Sequence, residues 1–380
     1  MRSWRARLLI LVAILSIVAA ACGGDDEGGE TGATGGETAA TGATATGATG
    51  ETAAAECNPD LTVGIAFDVG GLGDKSFNDA ANAGLQQAIA DGLVCEENVE
   101  VNEANSTGSD RDQNVQALAD AGFNLVVGVG FAFSPGMNTI APDYPDTSFM
   151  IIDGYATCGT ACGLTNDADA IPNVADYTFK EHEGSFLIGA AAALKCGCDT
   201  IGFLGGQTGP LIEKFQAGYE AGAAAINPDI TVLVEYIGDD VSAFNDPVKG
   251  EALSTAMYDD GAEIVYHAAG ASGAGLFNAA VQAGKFAIGV DSDQYLTASA
   301  EQQPLILTSM LKRVDVGVYN AIEAVGAGTF GGSFVFGMAE DGVDYATSNP
   351  DELTSDITAQ LDEFKQQIID GTIVVPDVPA

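Results

Sequence analysis

Short apolar segments alternate with helical patterns along most of this 380-residue chain, and the alternation occurs twice. Each apolar segment has the length of a buried strand, and a longer amphipathic segment follows it. Repeated strand–helix units build parallel sheets that carry helices on both faces. In the first half we predict strands at 61–67, 99–103, 124–129 and 148–152, with helices at 76–92, 110–121 and 135–142 between them. A strand at 174–179 and a helix at 182–195 follow.

The second half repeats this pattern. We predict strands at 200–204, 230–235, 263–267 and 286–290, with helices at 210–226, 247–260 and 273–283. A strand at 305–310, a helix at 313–327, a strand at 333–337 and a helix at 352–369 come last. The sequence therefore predicts an α/β protein with two doubly wound parallel sheets, one in each of two lobes.

The first 56 residues have the composition of an export signal followed by a tether. Basic residues precede an apolar run, 8–20, that is too short for a comfortable membrane span. The run ends in Ala-Ala-Ala-Cys22-Gly, which resembles the lipobox of bacterial lipoproteins. We expect a signal peptide over 1–21 and a lipidated Cys22; an ordinary cleavage site and an uncleaved helix are the alternatives. The segment 22–56, which is almost entirely Gly, Ala, Thr, Asp and Glu, is predicted to be a disordered tether. This places the protein on the extracytoplasmic face of the cell membrane.

The charge of the chain excludes one class of partner. The formal net charge is −41, with 13 Lys and Arg against 54 Asp and Glu. Proteins that bind nucleic acid need a basic face to neutralise phosphates. We therefore expect no nucleic-acid partner.

Seven cysteines remain to be explained, and Cys22 is assigned to the lipid. In an exported protein the other six are expected to pair. Cys57 and Cys95 precede two strands that should be parallel neighbours, so Cys57–Cys95 is the first predicted disulfide. Two further bridges are expected among Cys158, Cys162, Cys196 and Cys198, with the pairing left open. A zinc site formed by these four thiols is the alternative.

Polar and aromatic residues follow the first predicted strand closely. Asp68 stands where the strand should end, and a glycine-rich turn leads to Ser76, Phe77 and Asn78. Ser76 is expected to cap the helix that begins there. Open α/β sheets bind ligands at the carboxyl ends of their strands, beside helix N-termini. This stretch is therefore predicted to hold a polar molecule with a flat ring.

Several segments of the chain resemble one known family. They are Asp68…Gly73-Asp74-Lys75-Ser76-Phe77-Asn78, Gly128-Val129-Gly130-Phe131, Ile151-Ile152-Asp153, Glu183-Gly184-Ser185-Phe186-Leu187-Ile188-Gly189, Phe203-Leu204-Gly205-Gly206…Pro210-Leu211-Ile212…Lys214-Phe215…Gly218, His267-Ala268-Ala269-Gly270-Ala271-Ser272-Gly273, Gly289-Val290-Asp291-Ser292-Asp293-Gln294 and Lys312-Arg313-Val314-Asp315. Taken together and in this order, they resemble the basic-membrane-protein (PnrA-like) family of substrate-binding lipoproteins, which serve ABC importers. The resemblance covers nearly the whole chain after the tether.

The resemblance implies a type I periplasmic-binding fold, in which three crossovers join two lobes. We place the first lobe at 57–177 plus 308–330 and the second at 178–307 plus 331–380. The resemblance also implies a solute receptor and not an enzyme, with an ABC permease and ATPase as partners and no cofactor or metal. Members of the family bind purine nucleosides in the cleft, and some relatives bind riboflavin or other small molecules.

Candidate site residues follow from matching a nucleoside to the strand ends. Aromatic rings should sandwich the base, and carboxylates should accept its hydrogen bonds and those of the ribose. We expect Phe77, Phe131 and Phe215 to hold the ring, Asn78 and Asp153 to contact the base, and Asp68, Asp291 and Lys312 to engage the sugar or close the cleft; Gly270 should let the backbone approach the ligand. The alternatives are that the phenylalanines are core residues, that the aspartates cap helices and that the lysine is exposed.

Other functions remain open at this stage. A nucleoside hydrolase could also use aspartates and calcium, although here the acids are dispersed over two lobes. A receptor that signals through a membrane partner would use the same fold. His267 could contact the ligand or be a core residue, and Lys75 and Lys214 are expected to be structural or exposed.

Overall fold

The computed structural model describes residues 57–155 and 171–379, and it begins with an alternation of strands and helices. The elements of this first part are β1 (Val63–Phe67), α1 (Phe77–Ala90), β2 (Val99–Glu103), α2 (Arg111–Asp120), β3 (Leu125–Val129), α3 (Ser134–Ile140), β4 (Ser148–Ile152) and β5 (Val174–Phe179). The strands β1 and β3 are apolar along their whole length and fully buried. Strands covered on both faces read as continuous apolar runs, which is why periodicity located them well.

The second part repeats this order, returns to the first sheet at β11 and ends in the second lobe. Its elements are α4 (Glu181–Cys196), β6 (Thr200–Gln207), α5 (Pro210–Ile226), β7 (Thr231–Gly238), α6 (Pro247–Asp259), β8 (Ile264–Ala268), α7 (Gly273–Ala283), β9 (Phe286–Asp291), β10 (Ile306–Lys312), α8 (Val314–Ala327), β11 (Gly332–Phe336), β12 (Val343–Tyr345) and α9 (Ser355–Ile369). The sequence did not predict β12, because three residues are too few to show a period.

The strands form two six-stranded sheets with matching orders. The first sheet runs β11-β5-β4-β3-β1-β2 and the second β12-β10-β9-β8-β6-β7. Every pairing is parallel except that of β12 with β10. Five strands of each sheet have the doubly wound order 2-1-3-4-5. This confirms the predicted fold class of two parallel-sheet α/β lobes.

The chain passes between the lobes three times, at positions that differ from the expected ones. The expected boundary at 178 falls inside β5, and the one at 308 falls inside β10, which pairs with β9 along its length. The strand β11 pairs with β5 in the first sheet, although we had placed it in the second lobe. The crossings therefore lie near 180, 313 and 337, because a strand stays with its sheet until its last ladder bond is made.

Two disulfides are present in the described part of the chain. Cys57 joins Cys95, and Cys196 joins Cys198 two residues further on. The second bridge removes two of the four thiols that the zinc alternative needed. Cys22, Cys158 and Cys162 lie outside the described residues, as do the signal peptide and the tether. Within 57–155 and 171–379, no helix has both the length and the apolar character that a membrane span requires.

Candidate functional site

The cleft between the sheets lies at the two points where strand order reverses. In the first sheet β1 and β3 are neighbours, and the chain leaves them in opposite directions to reach α1 and α3. Asp68 follows β1 directly, and Gly130 and Phe131 follow β3. In the second sheet the corresponding neighbours are β6 and β8, and Ala269 and Gly270 follow β8. Ligands of doubly wound folds bind at such points because the diverging loops leave a crevice.

One cavity in this cleft brings all the predicted ligand residues together. Its empty space, including the part open to solvent, is about 630 Å³. The predicted residues that line it are Asp68, Phe77, Asn78, Phe131, Asp153, Phe215, Gly270, Asp291 and Lys312. The sequence did not single out the other lining residues, which are Val69, Asp74, Gly130, Leu211, Ile212, Val241, Phe244, Ala268, Ala269 and Val290.

A buried lysine lies at one end of this cavity and joins the two lobes. Lys312, at the end of β10, is only 2% exposed. Its Nζ lies 2.5 Å from Oδ2 of Asp153, which follows β4 of the other lobe, and 3.0 Å from Oε1 of Glu181. Burial by itself lowers the pKa of Lys312, but the surrounding carboxylates of Asp153, Glu181 and Asp291 raise it overall. Lys312 is therefore a permanent cation.

The rings around Lys312 shield it from water. Its Nζ lies 5.3 Å, 5.0 Å and 5.4 Å from the ring centroids of Phe77, Phe179 and Phe215. Distances of this size allow cation–π attraction, which strengthens in a dry site. Phe77 and Phe215 also line the cavity. Each of these two rings therefore lies near the Lys312 ammonium group and could also contact a ligand in the cavity.

Asp153 has one oxygen that the described residues leave without a hydrogen bond. Its Oδ2 accepts from Lys312, whereas Oδ1 is buried and has no partner in the described part of the protein. The residue is 8% exposed and lines the cavity. Burial raises the pKa of Asp153 to about 6, and Lys312 opposes this rise. A buried acceptor without a donor is costly, so this atom is suited to receive an O–H or N–H of a ligand.

Asp291 faces the cavity from the second lobe and is bound by the first. It ends β9 with φ +64°, a conformation that turns the chain sharply at the strand end. Its Oδ2 accepts a hydrogen bond of 2.5 Å from Oγ of Ser76. Burial raises the pKa of Asp291 to about 7, and Lys312 and the Ser76 hydroxyl oppose the rise.

The predicted helix cap at Ser76 is wrong. The Ser76 side chain makes no capping bond, since its hydroxyl donates to Asp291. Asp74 takes the capping role instead: its carboxylate accepts from the backbone N–H of Ser76, Asn78 and Asp79 at 2.9–3.1 Å. Asp74, two residues before Ser76, satisfies the same free N–H groups at the start of α1. The sequence alone could not show which of the two side chains caps the helix.

Further hydrogen bonds cross between the lobes beside Ser76. Gln294 Nε2 donates to the carbonyl of Lys75 at 3.0 Å, and Lys75 Nζ donates to the carbonyl of Thr297 at 3.0 Å. We call residues 75–76 and 291–297 the inter-lobe contact. His267 is fully buried, and its Nε2 lies 2.9 Å from Oε1 of Gln294. His267 therefore holds Gln294 in place for the inter-lobe contact and does not line the cavity. Burial lowers the pKa of His267 to about 4.

Four rings surround the cavity, and sequence reasoning missed one of them. Phe244 lies in the loop after β7, and its ring is 6.4 Å from that of Phe131 in an edge-to-face arrangement. The two rings come from different lobes. A short turn with an isolated phenylalanine gives no pattern, so only its position after a strand end could have suggested it.

Lys214, which we expected to be structural or exposed, forms an ion pair with Glu181, with 3.3 Å between Nζ and Oε2.

Comparisons with known proteins agree with this geometry. Residues 61–378 match the family described as ABC transporter substrate-binding protein PnrA-like. The chain is 32% identical over 336 residues to the CD4+ T-cell-stimulating antigen of Listeria monocytogenes, covering 84% of this chain and 89% of the relative. It is 31% identical over 332 residues to the ABC transporter nucleoside-binding protein BmpA of Lactococcus lactis, covering 83% and 89%.

A solved structure is also similar to this protein. It is a solute-binding protein of an ABC transporter system from Aeropyrum pernix K1, with a TM-score of 0.70 and 28% identity. The match covers 83% of this chain and 94% of that one. The two lobes, the cleft at their switch points and the match over nearly all described residues lead to one conclusion: the chain belongs to the PnrA-like family of ABC transporter substrate-binding proteins.

Proposed function

We propose that this protein is a lipid-anchored receptor that binds a purine nucleoside in the inter-lobe cleft and delivers it to an ABC importer. One observation carries the proposal. The cavity combines aromatic rings from both lobes with carboxylates, and one of these, Asp153, has an oxygen, Oδ1, that is buried without a hydrogen-bond partner among the described residues. A nucleoside matches this combination because its base is flat and its ribose hydroxyls are donors. The name of the Lactococcus lactis relative, a nucleoside-binding protein, supports the same ligand class.

The lining residues form two groups whose chemistry suits different parts of a nucleoside. Phe131 and Phe244 come from the two lobes and contact each other edge to face, so they suit a base that stacks beside them and not between them. Asp153, Asp291 and Lys312 lie close together and suit the hydroxyls of a ribose. Paired with carboxylates, Lys312 offers little to a phosphate, so a neutral nucleoside fits better than a nucleotide.

Binding should stabilise the closed arrangement of the lobes. Contacts such as Lys312–Asp153 and Ser76–Asp291 join the two lobes next to the cavity. A ligand that contacts both lobes adds to these contacts only when the cleft is closed, and it therefore shifts the population toward closure. The closed form is then the one that an importer's permease recognises. Acylation of Cys22 would hold the receptor near that permease, and mass spectrometry of the N-terminal peptide from membranes tests this step.

A thermal-shift and calorimetry series tests the ligand class. The purified protein is screened with guanosine, inosine, adenosine, uridine, riboflavin and ribose. A nucleoside at one hundred times its Kd should stabilise the fold by about 2.7 kcal/mol. Base–ring stacking contributes about 1–3 kcal/mol, so Phe131→Ala should weaken purine binding roughly tenfold.

Phe123→Ala is the matched control, because this half-buried ring packs against the core away from the cavity. Its affinity should equal that of the wild-type protein. A stabilisation by riboflavin or ribose with none by any purine nucleoside would reject the purine assignment while leaving the family intact.

A further inference from the structure

A buried arginine supports the cavity from behind, and neither the sequence motifs nor the proposed function uses it. Arg111 is the first residue of α2 and is 9% exposed. Its Nη1 donates to the carbonyl of Gly108 at 3.0 Å, and its guanidinium carbon lies 6.0 Å from the ring centroid of Phe133. These contacts fix the plane of the guanidinium group. Burying a charged group costs free energy. A guanidinium group that is buried and held in one orientation is therefore expected to have a specific function.

The guanidinium group binds only one oxygen of Asp68. Nε of Arg111 lies 2.5 Å from Oδ1, and Nη2 forms an ion pair with the same atom. The backbone N–H of Val69 also donates to Oδ1, at 2.6 Å. Two N–H groups, those of Arg111 Nε and Val69, therefore donate to Oδ1, and Nη2 of Arg111 adds an ion-pair contact to the same atom without a hydrogen bond.

The second oxygen of Asp68 is left for the cavity. Among the described residues no donor is found at Oδ2 of Asp68, and a Cβ placed on Gly130 would lie 2.9 Å from this atom. Gly130, with φ +130°, therefore keeps open the space directly in front of Oδ2. Asp68 and Gly130 both line the cavity. A side chain at position 130 would cover the oxygen.

We infer that Arg111 is a specificity-determining positioning residue, which holds Asp68 as an ionised acceptor with Oδ2 directed at the ligand. An ionised carboxylate can only accept hydrogen bonds. The group of the ligand that meets Oδ2 must therefore be an N–H or O–H donor, and a ligand with an acceptor at this place is rejected. This inference rests on the proposed function for its ligand and goes beyond it by naming the side chain that sets the selection.

The charges around Asp68 agree with this role. Burial raises the pKa of Asp68 above its ordinary value, and the hydrogen bond and the charge of Arg111, with the backbone N–H of Val69, limit this rise. Asp74, the nearest other acid in the same loop, is linked to Asp68 through the amide of Asn78 and is occupied by backbone N–H groups. Asp153 and Asp291 have their own partners in Lys312 and Ser76. The second-lobe segments near Phe131, 241–244 and 268–270, carry no titratable side chain. Arg111 is thus the cation that keeps Asp68 ionised.

The test measures guanosine binding by calorimetry between pH 5 and pH 9 for the wild-type protein, Arg111→Met, Arg111→Lys and Asp68→Asn. Guanosine is the probe because its base carries ring and exocyclic N–H donors. Without the guanidinium group, only the backbone N–H of Val69 opposes the rise that burial causes in the pKa of Asp68, and the protonated acid is a weaker acceptor than the carboxylate. Arg111→Met should therefore bind at least about tenfold more weakly than the wild type at pH 7 and recover as the pH rises.

Two variants separate this role from a structural one. Arg111→Lys keeps the charge and should retain much of the affinity, whereas Asp68→Asn should lose affinity by the same factor at pH 7, 8 and 9. Lys285→Met removes an ion pair with Glu263 outside the cavity and is the control for loss of a cation. A loss in Arg111→Met that is the same at every pH would overturn the inference, and so would an unchanged affinity.

Failure of the ligand proposal can be told apart from failure of this inference. ¹³C NMR of the Asp68 carboxyl group measures its pKa without any ligand. Arg111→Met should raise that pKa, and the double variant Asp68→Asn/Arg111→Met, which leaves no unpaired charge, provides a folded reference. If the wild-type protein binds no nucleoside, the ligand proposal fails. If the carboxyl pKa is the same with and without Arg111, the inference fails.

Discussion

At the scale of single residues, the acids at the strand ends determine how the site responds to pH. Asp291 is the clearest case, since burial raises its pKa to about 7 in the folded protein. In the unfolded chain the pKa is close to 3.9. The folded state therefore retains this proton over a pH range in which the unfolded state has lost it. The stabilisation is complete below about pH 4 and is lost as the pH rises through 7.

We predict that Asp291→Asn removes this dependence. The free energy of unfolding of the variant, relative to wild type, should increase between pH 5 and pH 8 by on the order of 2 kcal/mol. Urea unfolding at the two pH values measures it. Asp239→Asn, an exposed position after β7, is the matched control. Equal pH dependence in Asp291→Asn and wild type would contradict the assignment.

The same residues show what a sequence can predict about a site. Asp68, Asp153 and Asp291 directly follow or end apolar strands, so their convergence followed from the geometry of parallel sheets. Arg111 gave no such indication, because a charged residue at the start of a helix is usually solvated. Its importance depends on α2 packing beside β1, which is a tertiary fact.

At the scale of elements, two helices of the second lobe approach each other backbone to backbone. A Cβ on Gly222 of α5 would lie 1.9 Å from the carbonyl oxygen of Phe186 in α4. A Cβ on Gly189 of α4 would lie 2.0 Å from the carbonyl oxygen of Tyr219. Backbone atoms cannot yield as a side-chain end can, so this crossing requires glycine on both helices.

We predict that Gly222→Ala forces α4 and α5 apart and lowers the free energy of unfolding by about 1–3 kcal/mol or more. Gly326→Ala in α8 is the matched control, since its Cβ would lie 3.8 Å from the nearest atom. That variant should be neutral or up to about 1 kcal/mol more stable, because alanine favours a helix more than glycine does. Denaturant unfolding of both proteins decides the matter. Equal stability of the two variants would show that the helices can separate freely.

The elements themselves could be predicted almost completely, and their assignment to lobes less well. Strands β4 and β5 have the predicted bounds, because β4 is apolar after Ser148 and β5 is mostly apolar although it contains Asp176 and Thr178. The edge strand β11 is largely exposed and pairs only with β5. Periodicity identifies such a strand but does not say which sheet it joins, since that depends on where the chain crosses between the lobes.

At the scale of the whole molecule, we expect the inter-lobe contact to determine how readily the cleft closes. It lies beside the cavity and involves residues 75–76 of one lobe and 291–297 of the other. Gln294 is central to it and is only 2% exposed. Its Oε1 accepts from the backbone of Val290 and faces His267, which leaves Nε2 to reach Lys75 in the opposite lobe. The amide is thus oriented before the lobes meet, and closure costs little side-chain entropy.

We predict that Gln294→Ala shifts the ligand-free protein toward the open state. Small-angle X-ray scattering should show a larger radius of gyration without ligand and an unchanged one with saturating nucleoside. The loss of a buried inter-lobe hydrogen bond should accelerate nucleoside dissociation by roughly tenfold, because opening precedes release. Gln282→Ala is the matched control, since Gln282 bonds to Glu251 within the second lobe and outside the inter-lobe contact. If Gln294→Ala and Gln282→Ala release nucleoside at the same rate, the inter-lobe contact does not govern closure, and the cavity residues that join the lobes, Lys312 and Asp153, must govern it instead.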